Sequence, residues 1–387
     1  MQFSEIYDPQ EDSYFMERKV LEFAKGNVLD MGTGSGIQAL AALSKRNVNT
    51  VVGVDISKKA IEECKKLSKR IKWIESNLFK KVPTRYHNYF DTIIFNAPYL
   101  PQQGKKRLTT IEAGRKGFEV ILEFLEQARP FLKPKGKIML LFSSLSKPDI
   151  ILNFADTQLY DNKLLGVKSL FFEELYIYQF EKNQVFIELE EKGIKNIEFF
   201  DKGWRGLIHK AKYKNKIISI KSKRRFSEAK QAIKNEIKWL KFVNKKNIGP
   251  KFILNGKKFL VYEFIPGKTF VKWIETANKS QLKSAIKNIL EQCYILDKLK
   301  VNKEELHRPL KNVIVSRNKP ILIDFERMYK TKKTHNVTQF CQFLVNRVNF
   351  LKKKGFTFTK NKIIALASKY KKQRDDDSFD NIIKVLK

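Results

Sequence analysis

A chain of 387 residues has room for two or three domains at about 150 residues each. Hydrophobic residues make up 42% and aromatic residues 12%, which is enough to build packed cores and excludes a disordered chain. The formal net charge of +36 excludes an acidic or charge-balanced protein. It points either to a polyanionic partner or to a lysine-heavy source composition, because 62 of the 77 basic residues are Lys and 15 are Arg.

No uncharged apolar run approaches the ~18 residues that a membrane span needs, and the acidic opening MQFSEIYDPQEDSYF lacks an apolar signal core. Cys64, Cys293 and Cys341 are far apart and odd in number. They fit a reducing cytoplasmic setting better than a disulfide framework or a metal site.

In chain order, GNVLDMG reads as a strand ending in glycines and IQALAALSKR as a helix. NTVVGVDIS, DTIIFNAPY and KGKIMLLFSS read as further strands, KKAIEECKKLSKR as a helix, and FFEELYIYQFE as a closing strand. Alternating strands and helices predict a parallel, doubly wound α/β sheet over residues 1–183. The pattern restarts at QVFIELEEKGIKNIEFF, read as a β-rich run that opens a second domain over residues 184–387. Charge shifts with it: residues 1–183 hold 28 basic and 22 acidic residues, net +6, and residues 184–387 hold 49 and 19, net +30. The second half is therefore the expected electrostatic footprint. The tail KKQRDDDSFDNIIKVLK reads as a short helix or a partly disordered end.

The first strand runs into Gly32-Thr33-Gly34-Ser35-Gly36 and then a helix. Glycines at such a turn let the backbone approach a ligand closely, and the helix start adds N–H donors. Asp55 closes the next strand, about 20 residues on, where a carboxylate can accept ribose hydroxyls or simply cap a helix. The third strand ends in Asn96-Ala97-Pro98-Tyr99. This combination decides against a nicotinamide fold. Its side-chain amide, rigid Pro carbonyl and aromatic face suit a planar nitrogen about to attack a methyl sulfonium.

YDPQEDSYF, VLDMGTGSG, FNAPYLP and EAGRKGFEVILEFL together resemble the class I S-adenosylmethionine (SAM)-dependent methyltransferases of the HemK type, over about residues 5–182. The opening looks like the archaeal–eukaryotic branch, which methylates the glutamine amide in the Gly-Gly-Gln tip of peptide-release factors and uses a small zinc-binding activator. The resemblance implies a SAM site at Ser13, Asp30, Gly32, Thr33, Gly34, Gly36, Asp55, Ile56, Asn77, Leu78 and Asn96. It places the acceptor amide at Asn96, Pro98 and Tyr99. Two positions depart from the pattern: Ala97 stands for a Pro, and Asn77 for an Asp. Relatives with this signature also methylate adenine, cytosine or lysine nitrogens, so an RNA base is the alternative acceptor.

In the second half, Gly203 and Gly206 lie between apolar segments, as in a hairpin over phosphates. IISIKSKR offers an inward Lys221, and the helix AKQAIKNEIKWLKFV offers Glu236 as its best-placed acid. KNVIV and PILIDFER supply Asn312 and Asp324, suited to Mg²⁺ on a short hairpin. KGWRGLIHKA, LHRPLKNVIV and LIDFERM resemble the small archaeal Ser/Thr kinases allied to the RIO kinases and the KEOPS kinase subunit, over about 190–345. That implies a compact α+β kinase-like domain binding ATP. The catalytic loop departs from His-Arg-Asp-(four residues)-Asn: counting back from Asn312 gives His307, whereas aligning the Glu-Leu pair gives Glu305 as the base. The expected whole is a SAM-dependent N-methyltransferase fused to an atypical ATP-dependent kinase. The alternative for the second half is a basic ATP- and RNA- or ribosome-binding module.

Overall fold

The structure is a computed structural model of the chain; it describes residues 8–99, 117–203, 206–224, 231–307, 309 and 312–386. The chain divides into two compact units, 1–193 and 194–387. In the first unit the order is α1 (Glu11–Phe23), β1 (Gly26–Met31), α2 (Ile37–Leu43), β2 (Val48–Asp55), α3 (Lys58–Leu67), β3 (Lys72–Glu75), β4 (Phe90–Asn96), α4 (Glu119–Ala128), β5 (Leu132–Ser143), α5 (Pro148–Thr157), β6 (Tyr160–Ser169), β7 (Glu174–Lys182) and α6 (Gln184–Glu191).

The seven strands form one sheet in the order β3-β2-β1-β4-β5-β7-β6. Strands β3, β2, β1, β4 and β5 run parallel, while β7 is antiparallel to both β5 and β6. Parallel strands must be covered on both faces, and the alternation of side chains does this. Leu29, Met31, Ile93 and Phe95 face one core with Ile121, Phe124 and Leu125 of α4. Val28 and Ile94 face the other, with Phe15, Met16 and Val20 of α1 and Ala39 and Ala42 of α2. The crossing from β1 to β4 leaves β1, β2 and β4 with their carboxyl ends side by side, the place where open α/β sheets bind ligands.

The boundary between units falls ten residues later than the sequence pattern suggests. QVFIELEE is not a β-run: it forms α6, with Asn183 accepting the Phe186 N–H as its cap. Its apolar residues Val185, Phe186 and Leu189 share one helical face and are buried. Lys182 also reaches Glu190 at 2.9 Å, which ties α6 to β7.

The second unit contains β8 (Lys195–Lys202), β9 (Gly206–Tyr213), β10 (Lys216–Lys223), α7 (Ala232–Asn244), β11 (Phe252–Asn255), β12 (Phe259–Glu263), β13 (Lys268–Thr269), α8 (Phe270–Thr276), α9 (Lys279–Lys298), β14 (Val301–Lys303), β15 (Val313–Ser316), β16 (Lys319–Leu322), β17 (Met328–Lys330), α10 (Asn336–Asn346), α11 (Val348–Lys353), α12 (Lys360–Gln373) and α13 (Asp376–Lys384). An antiparallel sheet, β11-β12-β10-β9-β8, is followed by a helical part built around α9. Leu282, Ile286, Ile289, Cys293 and Leu296 recur at three- and four-residue spacing on α9 and carry its buried face. The tail is a helix, α13, capped by Asp375.

Among the described residues no helix is long and apolar enough to cross a membrane, and all three Cys are buried free thiols. One buried carboxylate clips three helices of the second unit together. Asp297 Oδ1 accepts from the Asn336 N–H and Nδ2, and its Oδ2 accepts from the Val337 N–H and the Tyr370 hydroxyl at 2.9 Å. Asp297→Ala leaves those donors unpaired in a dry interior. It should cost about 3 kcal/mol of stability, read as a lowered midpoint in thermal or urea unfolding.

Candidate functional site

In the first unit the glycine loop is shaped by backbone that only glycine adopts readily. Gly32 has φ +62°, and a Cβ there would lie 3.1 Å from the Phe95 ring; Gly36 has φ +83° and precedes α2 as its N-cap. The loop is stitched to two carboxylates. Asp30 is buried; its Oδ2 accepts from the Thr33 hydroxyl at 2.6 Å and the Ala39 N–H at 3.1 Å. Asp55 Oδ2 accepts from the Gly34 N–H at 2.9 Å, and its Oδ1 from the Ser57 N–H at 2.8 Å. Each carboxylate oxygen has two lone pairs, so Asp55 keeps acceptor capacity for a diol. Burial raises the Asp55 carboxyl against these backbone hydrogen bonds, and it pushes Asp30 up to about 7. Ile56 and Asn77 are exposed at the strand ends, and Leu78 is buried beside Asn77 with φ +48°.

Sequence reasoning singled out Ser13 but missed the residue before it. Asp12 is buried on α1; its Oδ1 accepts from the Ser13 N–H at 2.7 Å and the Ser13 hydroxyl at 3.3 Å. Its Oδ2 accepts from Asn96 Nδ2 at 2.9 Å. The Asn96 amide is thereby turned one way: its nitrogen is used, and among the described residues none donates to its buried Oδ1. Gln38, also missed, donates from Nε2 to the Ser13 carbonyl at 2.8 Å and holds α1 against α2. Their only sequence signal was polar side chains at apolar-facing positions of a helix. Beyond Asn96, Ala97 is buried, Pro98 and Tyr99 are half-buried, and the Tyr99 carbonyl accepts from the Ser146 hydroxyl at 3.0 Å.

The residues suit a sulfonium nucleoside and a nitrogen acceptor. A close-approach loop, a strand-end carboxylate and an orphaned buried carbonyl oxygen converge at the carboxyl ends of three adjacent strands. Residues 13–155 match the family model "Methyltransferase small domain". A Methanocaldococcus jannaschii protein designated a protein N5-glutamine methyltransferase is 31% identical over 151 residues, covering 37% of this chain and 74% of its own. The chain belongs to the HemK-like family of SAM-dependent methyltransferases through its first unit. A release factor glutamine methyltransferase of Fusobacterium nucleatum is 38% identical over 84 residues, 20% of this chain and 23% of its own. The Mtq2–Trm112 complex of E. cuniculi, described as responsible for methylating the translation termination factor eRF1, aligns at 25% identity with a TM-score of 0.38, covering 46% of this chain and all of that one.

The second unit gathers a separate polar cluster. Lys221 on β10 lies 2.7 Å from Glu236 on α7 and 3.0 Å from Asp324. Burial alone would lower the Lys221 amine, but the two carboxylates outweigh it and hold its pKa above the usual lysine value. For Asp324, burial is likewise outweighed, by Lys221 and Lys303, which hold its carboxyl below its ordinary value. Asn312 and Asp324 flank the hairpin of β15 and β16, whose register pairs Val313 with Leu322.

Asn312 Nδ2 donates to Glu305 Oε2 at 3.3 Å, and Arg327 meets Glu305 Oε1 at 2.5 Å. His307 is exposed and is not drawn into this cluster. Gly203 donates from its N–H to the Gly206 carbonyl at 2.9 Å, closing the β8–β9 turn, and Gly206 packs against the Lys221 stem. Lys303, unmarked by any sequence motif, is buried; it donates to the Asp324 carbonyl and lies 5.2 Å from the centre of the Phe325 ring. Glu305 and Asp324 both have positive φ, +70° and +63°. Non-glycine backbone of this kind costs about 1–3 kcal/mol and clusters at working sites.

Two outcomes are expected in the methyltransferase unit. Asp55→Ala should weaken SAM binding by about 1.5–3 kcal/mol, measured by calorimetry. Asp30 has a folded-state pKa above its unfolded value, so the folded state binds its proton more tightly. Its share of stability is full below about pH 4 and falls as pH rises towards 7. Asp30→Asn should remove that slope from urea midpoints of the SAM-free protein.

Proposed function

We propose that the first unit methylates a side-chain amide nitrogen of a protein glutamine, with a release factor as the substrate. One observation carries this reading: Asn96 presents an unpartnered, buried Oδ1, oriented by Asp12, at the carboxyl end of β4. An acceptor amide has two N–H bonds in a plane. Asn96 Oδ1 would accept one and the Pro98 carbonyl the other, while the Tyr99 ring covers the plane. Orientation of this kind converts collision into a near-attack geometry. SAM supplies the methyl group. The designations of the Methanocaldococcus and Fusobacterium relatives support glutamine over a nucleobase.

A second reading concerns the second unit. The ion cluster Lys221–Glu236–Asp324, with Asn312 and Glu305 beside it, supports Mg²⁺-dependent phosphoryl transfer from ATP. Lys221 would hold phosphate oxygens, Asp324 Oδ2 and Asn312 Oδ1 would hold metal, and Gly203 and Gly206 would let the turn lie close to phosphates. Glu305 would orient the acceptor hydroxyl. Its contacts with Asn312 and Arg327, against an exposed His307, favour it as the base. Asp-Phe-Glu in place of a glycine-ended turn, together with Lys303 beneath it, suits a fixed loop.

Labelled SAM offered to release factor, tRNA and rRNA tests the first reading, with and without a small zinc-binding partner of the kind the family resemblance implies. The label is expected on glutamine of the release factor. Asn96→Ala should abolish transfer while keeping most SAM affinity by calorimetry, and label on RNA would replace this reading with the nucleobase one. For the second unit, autophosphorylation with Mg-ATP should fall at least about a hundredfold in Lys221→Ala and Asp324→Asn. It should fall less in Glu305→Gln and stay near wild type in His307→Ala. Equal activity in all four variants, with salt-sensitive RNA binding, would leave a basic binding module instead.

A further inference from the structure

The tip of the β6–β7 hairpin carries two neighbouring phenylalanines in open solvent: Phe171 is 92% exposed and Phe172 is 87% exposed. Their rings meet edge to face with centroids 4.6 Å apart, so they form one convex apolar knob. The turn beneath is fixed, because the Leu170 N–H donates to the Glu173 carbonyl at 2.8 Å. Large aromatics held outward on a closed turn mark a contact surface rather than a core.

The position of the knob says what it meets. β7 runs antiparallel to β5 and pairs Leu175 with Ser143, so the tip stands at the sheet edge where β4 ends in Asn96. A short bridge joins the two places. The Glu174 N–H donates to the Ser144 hydroxyl at 3.1 Å, and two residues on the Ser146 hydroxyl donates to the Tyr99 carbonyl. Leu145, between these two serines in sequence, adds another exposed apolar side chain at this end of the sheet. Charge narrows the partner. Glu173 and Glu174 follow the phenylalanines directly, and Glu173 Oε2 is buried with no hydrogen-bond donor. Two carboxylates repel the phosphates of RNA and of anionic lipid, whereas an unpaired buried carboxylate oxygen seeks an N–H or a cation.

We propose that Phe171, Phe172 and Glu173 dock the acceptor protein, inserting into an apolar pocket of it that is edged by a Lys, Arg or backbone N–H. This rests on the reading that the acceptor is a protein. Docking energy spent here fixes the acceptor segment over Asn96 without touching SAM.

The test uses the full chain, labelled SAM, a purified release factor with a Gly-Gly-Gln tip and a short peptide of that tip alone. Phe171 and Phe172 lie on an exposed turn, and Glu173 beside them is half-buried. In the double variant Phe171→Ala, Phe172→Ala, kcat/KM for the whole factor should fall about tenfold or more. kcat at saturation, SAM affinity and the rate on the short peptide should stay within about twofold of wild type. Glu173→Gln should lower kcat/KM for the factor less and leave the peptide unchanged. A double variant that methylates the factor as well as wild type overturns the docking role and leaves the acceptor reading standing. An equal fall for factor and peptide overturns it as well, because the defect would then lie in the site itself. A wild-type protein that fails to label the factor both with and without the small zinc-binding partner overturns the acceptor reading and this proposal together.

Discussion

A primary amide offers an oxygen that accepts and a nitrogen that donates, and its neighbour decides which one a ligand meets. Both units use a carboxylate to make that choice. Asp12 takes the Asn96 nitrogen, and Glu305 takes the Asn312 nitrogen, so each asparagine is left with its carbonyl oxygen for the site. In the methyltransferase unit this one hydrogen bond also fastens α1 to the end of β4. Around it Ser13 and Gln38 continue the link to α2, and Asp30 and Asp55 hold the glycine loop that α2 follows. Remove Asp12 and the amide can rotate; the glycine loop would persist, but the Asn96 oxygen would no longer be fixed in direction.

The second unit solves a different problem, that of holding opposite charges together where water is largely excluded. Lys221 has two carboxylates, and Lys303 has the carbonyl of Asp324 and the face of Phe325. Glu236 and Asp324 hold the Lys221 amine above its usual value against burial, whereas burial outweighs the nearby carboxylates at Lys303 and lowers its amine. The same contacts anchor the Asp-Phe-Glu turn from below. The turn then leads straight into β17, which pairs with β14 beside Lys303. The short route from Asp324 to α10 leaves no long segment to swing across the site, so its shape is set by packing.

The parts legible in the sequence were those in which one residue type answers one geometric need. Glycines before α2, Asp55 at a strand end, Asn96 after an apolar strand and Lys221 within IISIKSKR could all be read this way. What escaped were polar residues whose meaning comes from a distant partner. Asp12 meets Asn96 across 84 positions, and Lys303 meets Asp324 across 21. α6 was misread because V-F-I-E-L is apolar enough for a strand; only its burial at Val185, Phe186 and Leu189 reveals the helical spacing. α1 carries the motif YDPQEDSYF, and its helix shows only in the burial of Phe15, Met16 and Val20 on one face.

The surplus positive charge of the second half is weaker evidence than it looked. Many of its lysines are solvated, as on α12, where Lys360, Lys362, Lys369, Lys371 and Lys372 are all exposed. Charges of this kind are screened over about 10 Å at 0.1 M salt and define no binding geometry. Lys221 and Lys303 differ in kind. Each is held against named atoms, Lys303 fully and Lys221 mostly out of water, and neither can be exchanged for a basic residue elsewhere. A net charge of +30 would give any polyanion some affinity, whereas Lys221, held between two carboxylates, has one fixed position. The fixed electrostatic features of the second unit are therefore the few charges held against named partners.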